Sequence, residues 1–457
     1  MIHNERISYL NEKPARQGNY VLYWMQQSQR AEYNHALEYA IMRANELALP
    51  LLVYFGVTPS FPEANERHYR FMLEGLRDTA ELLLRRGIAM AVQACSPEKG
   101  AVRLARDAAL AVTDRGYLRI QRQWRASAAS AMKCPLIQVE SDAIVPIESA
   151  SPKEEYTAGT FRPKIMAHLP FYLKPVRHGT LRVDSAAIDC ESLDLDDIDA
   201  IIRKTGIDRS VAPVRWLRGG TREAKRLLRR FIAARLDSVP EERNDPSKEC
   251  VSNLGPYLHF GQISPLYIAL EVLKTKSPGR DIFLEELIVR RELSLNFVHY
   301  NERYDSFQCL PGWARQTLKK HGRDRRDYLY DPADLEHART HDRYWNAAQR
   351  ELLLRGKIHG YMRMYWGKKI LEWTASPEEA YAMALFLNNK YSLDGRDPNG
   401  FAGVAWCFGK HDRAWGERRV FGKIRYMNDR GLERKFDMER YVALVDSASP
   451  ASGPVTP

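Results

Sequence analysis

Hydrophobic runs and amphipathic stretches alternate over the first third of the chain. Residues 19–25 (NYVLYWM) and 50–57 (PLLVYFGV) have the β-branched and aromatic content of buried strands. Residues 67–86 instead carry apolar side chains every three or four positions, which is the spacing of an amphipathic helix. Further strands are predicted at residues 88–94, 110–114 and 136–140, with helices at 31–47, 97–106 and 116–131. The alternation predicts a Rossmann-like α/β domain, a parallel sheet with helices on both faces.

The pattern changes after residue 140. Residues 141–215 are richer in proline, serine and glycine, which predicts an interdomain linker with short helices at most. Farther on, apolar positions follow a helical period, for example at residues 221–236 and 281–299. The predicted division is an α/β domain at residues 1–140, a linker at 141–215, an all-α domain at 216–446 and a disordered tail at 447–457.

Composition narrows the possible functions. The chain has 457 residues, enough for two domains, and a formal charge of +11, which is compatible with a polyanionic partner such as nucleic acid. No apolar run approaches the ~20 residues of a membrane span, and the N-terminus lacks the apolar core of a signal peptide, so a cytoplasmic location is expected. The six cysteines show no C-x-x-C spacing, so neither a metal site nor a disulfide framework is predicted.

The α/β domain shows little chemistry of its own. Parallel sheets usually bind ligands beyond the carboxyl ends of their strands. The first predicted strand is followed by QQSQR at residues 26–30, without a G-x-G-x-x-G dinucleotide fingerprint. This domain is therefore predicted to be a scaffold with at most an accessory ligand.

Chemistry concentrates in the helical half. Residues 344–415 carry five of the nine tryptophans, mixed with arginine, aspartate and asparagine. A hydrophobic core explains such rings, but the mixture also suits a flat, redox-active ligand. Trp366 and Trp373, seven residues apart, share a helix face and are separated by roughly 10 Å of rise. The loop at residues 252–261 (SNLGPYLHFG) either caps a helix or binds a phosphate through backbone amides.

Four segments together resemble the class II cyclobutane pyrimidine dimer DNA photolyases. They are residues 290–297 (RRELSLNF), 359–373, 393–400 (LDGRDPNG) and 411–418 (HDRAWGER). The resemblance runs from the α/β domain to Tyr441. It implies a flavoenzyme that binds one FAD in the helical domain and uses light to pass an electron to a dimer flipped out of double-stranded DNA.

The resemblance also implies roles for single residues. Those that would bind FAD are Val251, Ser252, Asn253, Leu254, Gly255, Arg363, Asp394, Gly395 and Arg396. Arg363 would pair with Asp394 near the flavin ring. Asn388 would lie near flavin N5 and stabilise its reduced or semiquinone state, because Gly400 stands where other photolyases have their flavin-facing asparagine.

Three further groups follow from the same resemblance. Glu286, Met364 and Trp406 would face the dimer, with Glu286 stabilising its radical anion. Trp366, Trp345 and Trp373 match the class II photoreduction chain. Basic residues that would contact DNA are Arg413, Arg418, Arg419, Lys423 and Arg425, the last entering the gap left by the flipped lesion.

Some questions stay open at this stage. Val289 stands where single-strand-preferring relatives have tryptophan, which favours class II. An antenna chromophore in the α/β domain could be a deazaflavin, a folate or a flavin, or none. A cryptochrome-like photoreceptor without repair activity is the alternative function, and a helical DNA-binding protein without cofactor is a third. A monomer is expected, and Trp415 is assigned to the core.

Overall fold

The computed structural model describes residues 2–185 and 188–448. Residues 449–457 of the predicted tail lie outside these ranges. The chain begins with a sheet of six strands: β1 (Ile7–Tyr9), β2 (Tyr20–Trp24), β3 (Leu51–Val57), β4 (Ala89–Ala94), β5 (Ala108–Asp114) and β6 (Leu136–Val139). Their order is β1-β6-β5-β2-β3-β4.

The sheet confirms the predicted α/β fold. Strands β2 to β6 pair in parallel, and every residue of β2, β3 and β5 is buried, as expected for strands covered on both faces. Strand β1 was not predicted and pairs antiparallel with β6 at the edge. It has only three residues, two of them exposed, so no hydrophobic run marks it.

Helices form the rest of the chain. Those beside the sheet and in the predicted linker are α1 (His35–Leu47), α2 (Glu66–Leu84), α3 (Pro97–Leu104), α4 (Arg119–Ala131), α5 (Ile147–Ala150), α6 (Ala158–Tyr172) and α7 (Ile198–Thr205). Those that follow are α8 (Thr221–Ala234), α9 (Val239–Glu242), α10 (Gly255–His259), α11 (Pro265–Leu273), α12 (Arg280–Leu284), α13 (Arg291–Tyr300), α14 (Gly312–Lys320), α15 (Pro332–Glu336), α16 (Arg343–Arg355), α17 (Gly360–Trp373), α18 (Pro377–Tyr391), α19 (Pro398–Cys407), α20 (Asp429–Glu433) and α21 (Met438–Asp446). The predicted all-α second half is confirmed.

Two helical regions differ from their predictions. The single helix predicted at residues 281–299 is divided, because a π-helical segment, Glu285–Arg290, lies between α12 and α13. The predicted linker contains α6, which at 15 residues is longer than the short helices expected. Its apolar side chains do not gather on one face and it contains Pro163 and Pro170, so neither periodicity nor composition marks it as a helix. The domain boundaries themselves stay a prediction.

Polar side chains buried between the sheet and the helical half join the two. Arg67 of α2 donates from its guanidinium to the carbonyl oxygens of Leu352 (3.1 Å) and Tyr391 (2.7 Å). Glu292 of α13 accepts from the backbone N–H groups of Ile144 (2.5 Å) and Val145 (3.2 Å). Buried hydrogen bonds of this kind fix the orientation of one half on the other.

Replacing Glu292 with glutamine should make stability less dependent on pH. Burial raises the pKa of the Glu292 carboxyl from 4.5 to about 7. Between pH 4.5 and pH 7 the folded protein keeps a proton that the unfolded chain releases. The free energy of unfolding of wild type therefore falls as the pH rises, by about 3 kcal/mol over this range. We expect the melting temperature of Glu292→Gln, relative to that of wild type at the same pH, to rise as the pH increases from 4.5 to 7. A difference that stays constant over this range would contradict the assignment.

Candidate functional site

A cleft in the helical half brings together three separate segments of the chain. They are the loop before α10, the π-helical segment and the loop between α18 and α19. The lining residues are Ser252, Leu254, Gly255, Leu258, His259, Phe283, Glu286, Leu287, Arg291, Asp394, Asp397 and Asn399. Seven of these twelve residues are polar or charged, and converging polar groups of this kind can orient a ligand in a cleft.

The loop before α10 has a constrained backbone. Asn253 adopts a left-handed conformation with φ +57°, and its Oδ1 accepts from Lys357 Nζ at 3.0 Å. Lys357 is half-buried, and desolvation lowers the pKa of its amine. Ser252 Oγ accepts from the N–H of Leu254 at 3.4 Å, and Val251 is half-buried beside it. No side chain caps α10, whose N-cap residue is Leu254, so the cap expected as one alternative for this loop is not formed. An amine group lies next to the same loop.

Asp394 packs directly against this loop. A Cβ on Gly255 would lie 2.4 Å from Asp394 Oδ2, so only glycine allows this approach. Ser392 Oγ donates to Asp394 Oδ1 at 2.6 Å, and Arg363 Nη2 lies 3.8 Å from the same oxygen. The ion pair predicted between Arg363 and Asp394 is present. The geometry fixes the Asp394 carboxylate at the edge of the cleft.

Asn388 lies beside the same loop. A Cβ on Gly395 would meet the backbone oxygen of Asn388 at 2.7 Å, so the loop packs closely on the end of α18. A Cβ on Gly400 would lie 3.1 Å from Asn388 Nδ2. The amide of Asn388 thus occupies space that a side chain at position 400 would otherwise enter. This agrees with the expectation that Asn388 takes the place of an asparagine at position 400.

The side chain of Arg396 points away from this cleft. It is 3% exposed, has φ +63°, and its Nη1 lies 2.9 Å from His68 Nε2 and 2.6 Å from the oxygen of Asn389. Burial lowers the pKa of its guanidinium to about 10. Its charged group therefore joins the helical half to α2 of the sheet domain, which leaves only its backbone to meet a ligand in the cleft.

A second cavity lies beyond the carboxyl ends of β2 and β3. Its lining residues include Gln26, Phe55, Tyr69, Gln121 and Trp124, and Arg396 and His259 close it from the helical half. Ligands of parallel sheets usually bind beyond the carboxyl ends of the strands, which is where this cavity lies. The sequence had suggested at most an accessory ligand here, and the cavity has the apolar and amide groups to bind one.

Glu286 projects from the π-helical segment into the first cleft. π-Helical turns occur frequently at functional sites, because the extra residue redirects side chains. The carboxylate pairs with Arg243 and keeps 57% of its side-chain surface accessible. The surrounding protein nevertheless raises the pKa of Glu286, since desolvation outweighs the opposing effect of Arg243 and Arg290. The pKa of this carboxyl is therefore higher than that of a glutamate in water, in spite of the ion pair.

Trp406 and Met364 are both partly buried near this end of the cleft. The guanidinium carbon of Arg290, at the end of the π-helical segment, lies 5.6 Å from the Trp406 ring. Cys407 Sγ, one residue along α19, lies 4.0 Å from Met364 Sδ. Helices α17 and α19 therefore bring Met364 and Trp406 into one region, next to the segment that carries Glu286.

The three tryptophans predicted to form a chain are in contact and buried. Trp345 Nε1 donates to the backbone oxygen of Trp366 at 3.0 Å, and the ring centroids of Trp345 and Trp373 are 5.7 Å apart. Trp366 Nε1 donates to Gln349 Oε1 at 2.8 Å. The connected order is therefore Trp366, Trp345, Trp373, across α16 and α17.

The five predicted DNA-contacting residues lie on one stretch, and Trp415 lies among them. Arg413, Arg418, Arg419 and Lys423 are exposed, and Arg425 is half-buried. Assigning Trp415 to the core was wrong, because its side chain is 38% exposed. The guanidinium carbons of Arg413 and Arg425 lie 5.0 and 5.1 Å from its ring, which holds it at the surface between two cations.

Several residues in these sites were missed by the sequence argument. Lys357, Arg291 and Asn399 contact or line the cleft. Arg291 and Asn399 lie within two of the segments that carry the family resemblance, but no role was assigned to them, and no pattern marks Lys357. Asp397 carried a usable signal. It precedes Pro398 and Asn399, and its Oδ1 accepts from the N–H of Asn399 at 2.8 Å, as an N-cap does.

The structure describes residues 2–185 and 188–448. No group of three or more His, Cys, Asp or Glu side chains in those ranges could hold a metal ion. Within the same ranges, none of the helices has the length and apolar character needed to cross a membrane.

The chain is similar to characterised proteins over nearly its whole length. The DNA photolyase family model matches residues 21–180. The chain is 56% identical to the deoxyribodipyrimidine photo-lyase of Methanothermobacter thermautotrophicus, covering 97% of this chain and 98% of that protein. It is 41% identical to the enzyme of the same name from Potorous tridactylus, covering 93% and 81%.

Solved structures share the fold at low sequence identity. A cryptochrome from Synechocystis aligns with a TM-score of 0.71 at 14% identity, covering 93% of this chain and 87% of that one. An archaeal photolyase from Sulfolobus tokodaii, solved with two FAD molecules, aligns with a TM-score of 0.69 at 16% identity, covering 92% and 89%. These likenesses show a shared fold, and the identities of 56% and 41% to the photo-lyases establish that the chain belongs to the DNA photolyase family.

Proposed function

We propose that this protein is a class II photolyase, which repairs cyclobutane pyrimidine dimers in double-stranded DNA with light and FAD. One observation carries the proposal. Glu286, the residue expected to meet the dimer, lines the same cleft as Gly255 and Asp394, which are expected to hold the flavin. Electron transfer to a lesion requires cofactor and substrate to lie close together, and a single cleft supplies that proximity.

The residues of the cleft suit FAD. Backbone amides and Ser252, near the half-buried Lys357, offer positive potential for a pyrophosphate. The Arg363–Asp394 pair offers a donor and an acceptor to a flavin ring. Bound FAD would supply the photoexcited electron. The protein's part is to hold the cofactor and to exclude water from it with Leu254, Phe283 and Leu287. The Asn388 amide, beside Gly400, would face the edge of the flavin.

Two positions support the class II assignment. The space beside Gly400 is occupied by the Asn388 amide, so the polar group near the flavin would come from α18 instead of α19. Val289 is 2% exposed within the π-helical segment, where the single-strand-preferring relatives are expected to have tryptophan.

The second cavity is proposed as the site of an accessory chromophore. Trp124 and Tyr69 offer aromatic faces, and Gln26 and Gln121 offer amide groups to the edge of a heterocycle. A deazaflavin, a folate and a flavin all present such an edge. Because Arg396 and His259 also line this cavity, a chromophore there would contact both halves of the protein.

The surface around Trp415 is proposed to bind the DNA. Arg413, Arg418, Arg419 and Lys423 can contact phosphates, which position a duplex without reading its sequence. Arg425 and the exposed Trp415 ring can enter the gap that the flipped dimer leaves, because an aromatic face replaces lost base stacking. One chain contains all of these groups, so a monomer suffices for binding.

A methyl group at position 255 should weaken FAD binding. In Gly255→Ala the new Cβ would displace the Asp394 carboxylate, and the Arg363 pair with it. We expect FAD affinity to fall at least about tenfold, or about 1.4 kcal/mol. The affinity is measured by titrating the apoprotein with FAD, and the retention of flavin by its loss on dialysis. Gly312→Ala is the matched control, because a Cβ there meets nothing within 4 Å. Equal affinity in the two variants would contradict the proposed role of the Asp394 loop.

Repair in cells separates the proposal from the alternative of a photoreceptor. The chain should restore survival of an ultraviolet-irradiated, photolyase-deficient bacterium under blue light and not in the dark. A photoreceptor without repair activity would leave survival the same in both conditions. A purified protein without FAD would contradict both functions and favour a DNA-binding protein without cofactor.

A further inference from the structure

Part of the surface proposed to bind DNA is a short, tightly folded loop. We name residues 417–423 the arginine loop. Two backbone hydrogen bonds close it, from the N–H of Arg418 to the oxygen of Gly422 at 2.8 Å and from the N–H of Gly422 to the oxygen of Arg418 at 2.7 Å. Val420, between them, has φ +66°, a conformation that a β-branched residue rarely adopts. Such strain persists only where surrounding groups hold the backbone in place.

A histidine at the end of α14 connects the start of the arginine loop to its strained tip. His321 Nε2 lies 2.8 Å from Glu417 Oε1, at the start of the loop. His321 Nδ1 lies 2.6 Å from Asp324 Oδ2. The same Asp324 oxygen accepts from the backbone N–H of Val420 at 2.9 Å. One imidazole ring therefore holds both the first residue of the loop and the carboxylate that fixes its strained residue.

The end of the arginine loop packs directly against the same part of α14. A Cβ on Gly422 would lie 2.2 Å from Thr317 Oγ1 and 2.9 Å from His321 Cδ2. Thr317 Oγ1 also accepts from the backbone N–H of Lys423 at 3.0 Å. The His321 side chain is 14% exposed, because the loop covers it. A change in the bonding of this ring is therefore transmitted to the loop.

The two contacts of His321 require a charged ring. Carboxylate oxygens only accept, so both ring nitrogens donate, and an imidazole that donates twice carries a positive charge. The hydrogen bonds to Glu417 and Asp324 raise the pKa of His321 above its usual value of 6.5. The ring also stands at the C-terminal end of α14, where a positive charge is favoured. Two other cations act on the same carboxylates, since Lys320 Nζ lies 2.7 Å from Glu417 Oε1 and Arg419 stabilises the charge of Asp324.

We propose that His321 is a positioning residue for DNA binding, whose charged ring holds the arginine loop in the shape that presents Arg418 and Arg419 to phosphates. This rests on the proposed DNA-binding surface. A neutral ring donates to only one carboxylate and turns a lone pair toward the other, so either the start of the loop or its tip is released. The two guanidinium groups then lose their fixed positions, and the affinity for DNA falls.

The test is the affinity of FAD-loaded holoenzyme for a duplex that contains one dimer, measured by fluorescence anisotropy from about pH 6 to about pH 9. Wild-type affinity should fall as the pH rises through the raised pKa of His321, because the charged ring is lost. His321→Gln, which can donate to one carboxylate only, should bind at least about fivefold more weakly near the lower pH, with a smaller difference near the upper. Repair at saturating DNA should be unchanged. The control is His337→Gln, an exposed histidine just after α15, which should match wild type throughout.

Glu417→Ala separates positioning from net charge. This change removes a negative charge from a DNA-binding surface, so long-range attraction alone would strengthen binding. Loss of the carboxylate that His321 and Lys320 share should instead weaken it. His321→Gln and Glu417→Ala alter the net charge in opposite directions, and both should weaken binding. Glu417 is exposed, so its replacement should leave the melting temperature and the bound flavin unchanged.

The outcomes separate this role from the proposed function. Stronger binding by Glu417→Ala, or equal affinity of His321→Gln and wild type at every pH, would overturn the role of His321 and leave the DNA-binding surface intact. Wild-type affinity in Arg419→Ala would overturn the surface and the role of His321 with it. A wild-type protein that does not bind the duplex would contradict the proposed function itself.

Discussion

Trp366→Phe is expected to slow the photoreduction of oxidised flavin by at least about a hundredfold, equivalent to about 2.7 kcal/mol of added barrier. Trp366 is the ring at the inner end of the connected series, and its backbone oxygen and Trp345 Nε1 are 3.0 Å apart. A phenyl ring is much harder to oxidise than an indole, so an electron would have to cross directly from Trp345. The measurement is the rise of reduced flavin absorbance under blue light with excess thiol.

Trp313→Phe is the control for this prediction. Trp313 is half-buried and its Nε1 donates to the Tyr156 hydroxyl at 2.7 Å, outside the Trp366–Trp345–Trp373 series. Its photoreduction rate should equal that of wild type. Repair by chemically reduced Trp366→Phe should also be normal, because the chain serves to reduce the flavin and not to split the dimer. A Trp366→Phe variant that photoreduces at the wild-type rate would require a different route.

Glu286→Ala is expected to lower the repair quantum yield of fully reduced enzyme about tenfold, the effect of losing one hydrogen bond to a charged intermediate. Desolvation raises the pKa of Glu286 against the opposing charges of Arg243 and Arg290, with Glu285 adding to the rise. The protonated carboxyl can donate to the dimer anion as charge arrives there. The yield is measured per absorbed photon on a duplex with a single dimer.

Glu286→Gln separates the donated hydrogen bond from packing. The amide also donates a hydrogen bond, so this variant should keep most of the yield. It should also lose the pH dependence of wild type, whose yield should fall as rising pH removes the carboxyl proton. Because the folded pKa is raised, the active protonated form extends to higher pH than for an ordinary glutamate. An alanine variant with full yield would show that Glu286 does not act on the dimer anion.

The sheet and the tryptophan chain could be predicted because their signals are local. Residues in β2, β3 and β5 are buried without exception; β2 and β3 are apolar throughout, and β5 is apolar up to Thr113 and Asp114 at its end. Trp366 and Trp373 share a helix face by spacing alone. Asp394 and Arg363 were paired from the family resemblance, and the structure places them 3.8 Å apart.

Other features depend on contacts between distant parts of the chain. Arg396 is adjacent to the cleft in sequence but bonds to His68, 328 residues away, so its direction could not be inferred locally. Trp415 was assigned to the core because the sequence offered no role for it. Only the positions of Arg413 and Arg425 explain why it stays at the surface. The π-helical segment arises inside a continuous helical pattern that gives no sign of the extra residue.

Light-dependent splitting of a dimer by the purified protein is the most direct test of the proposed function. Holoenzyme with fully reduced FAD is mixed without oxygen with a duplex that contains one thymine dimer, and the ultraviolet absorbance of the restored thymines is followed under blue light and in the dark. We expect absorbance to recover in the light until every dimer is split, and no change in the dark. DNA that stays unrepaired under light, while the protein binds it with reduced FAD in place, would contradict the account.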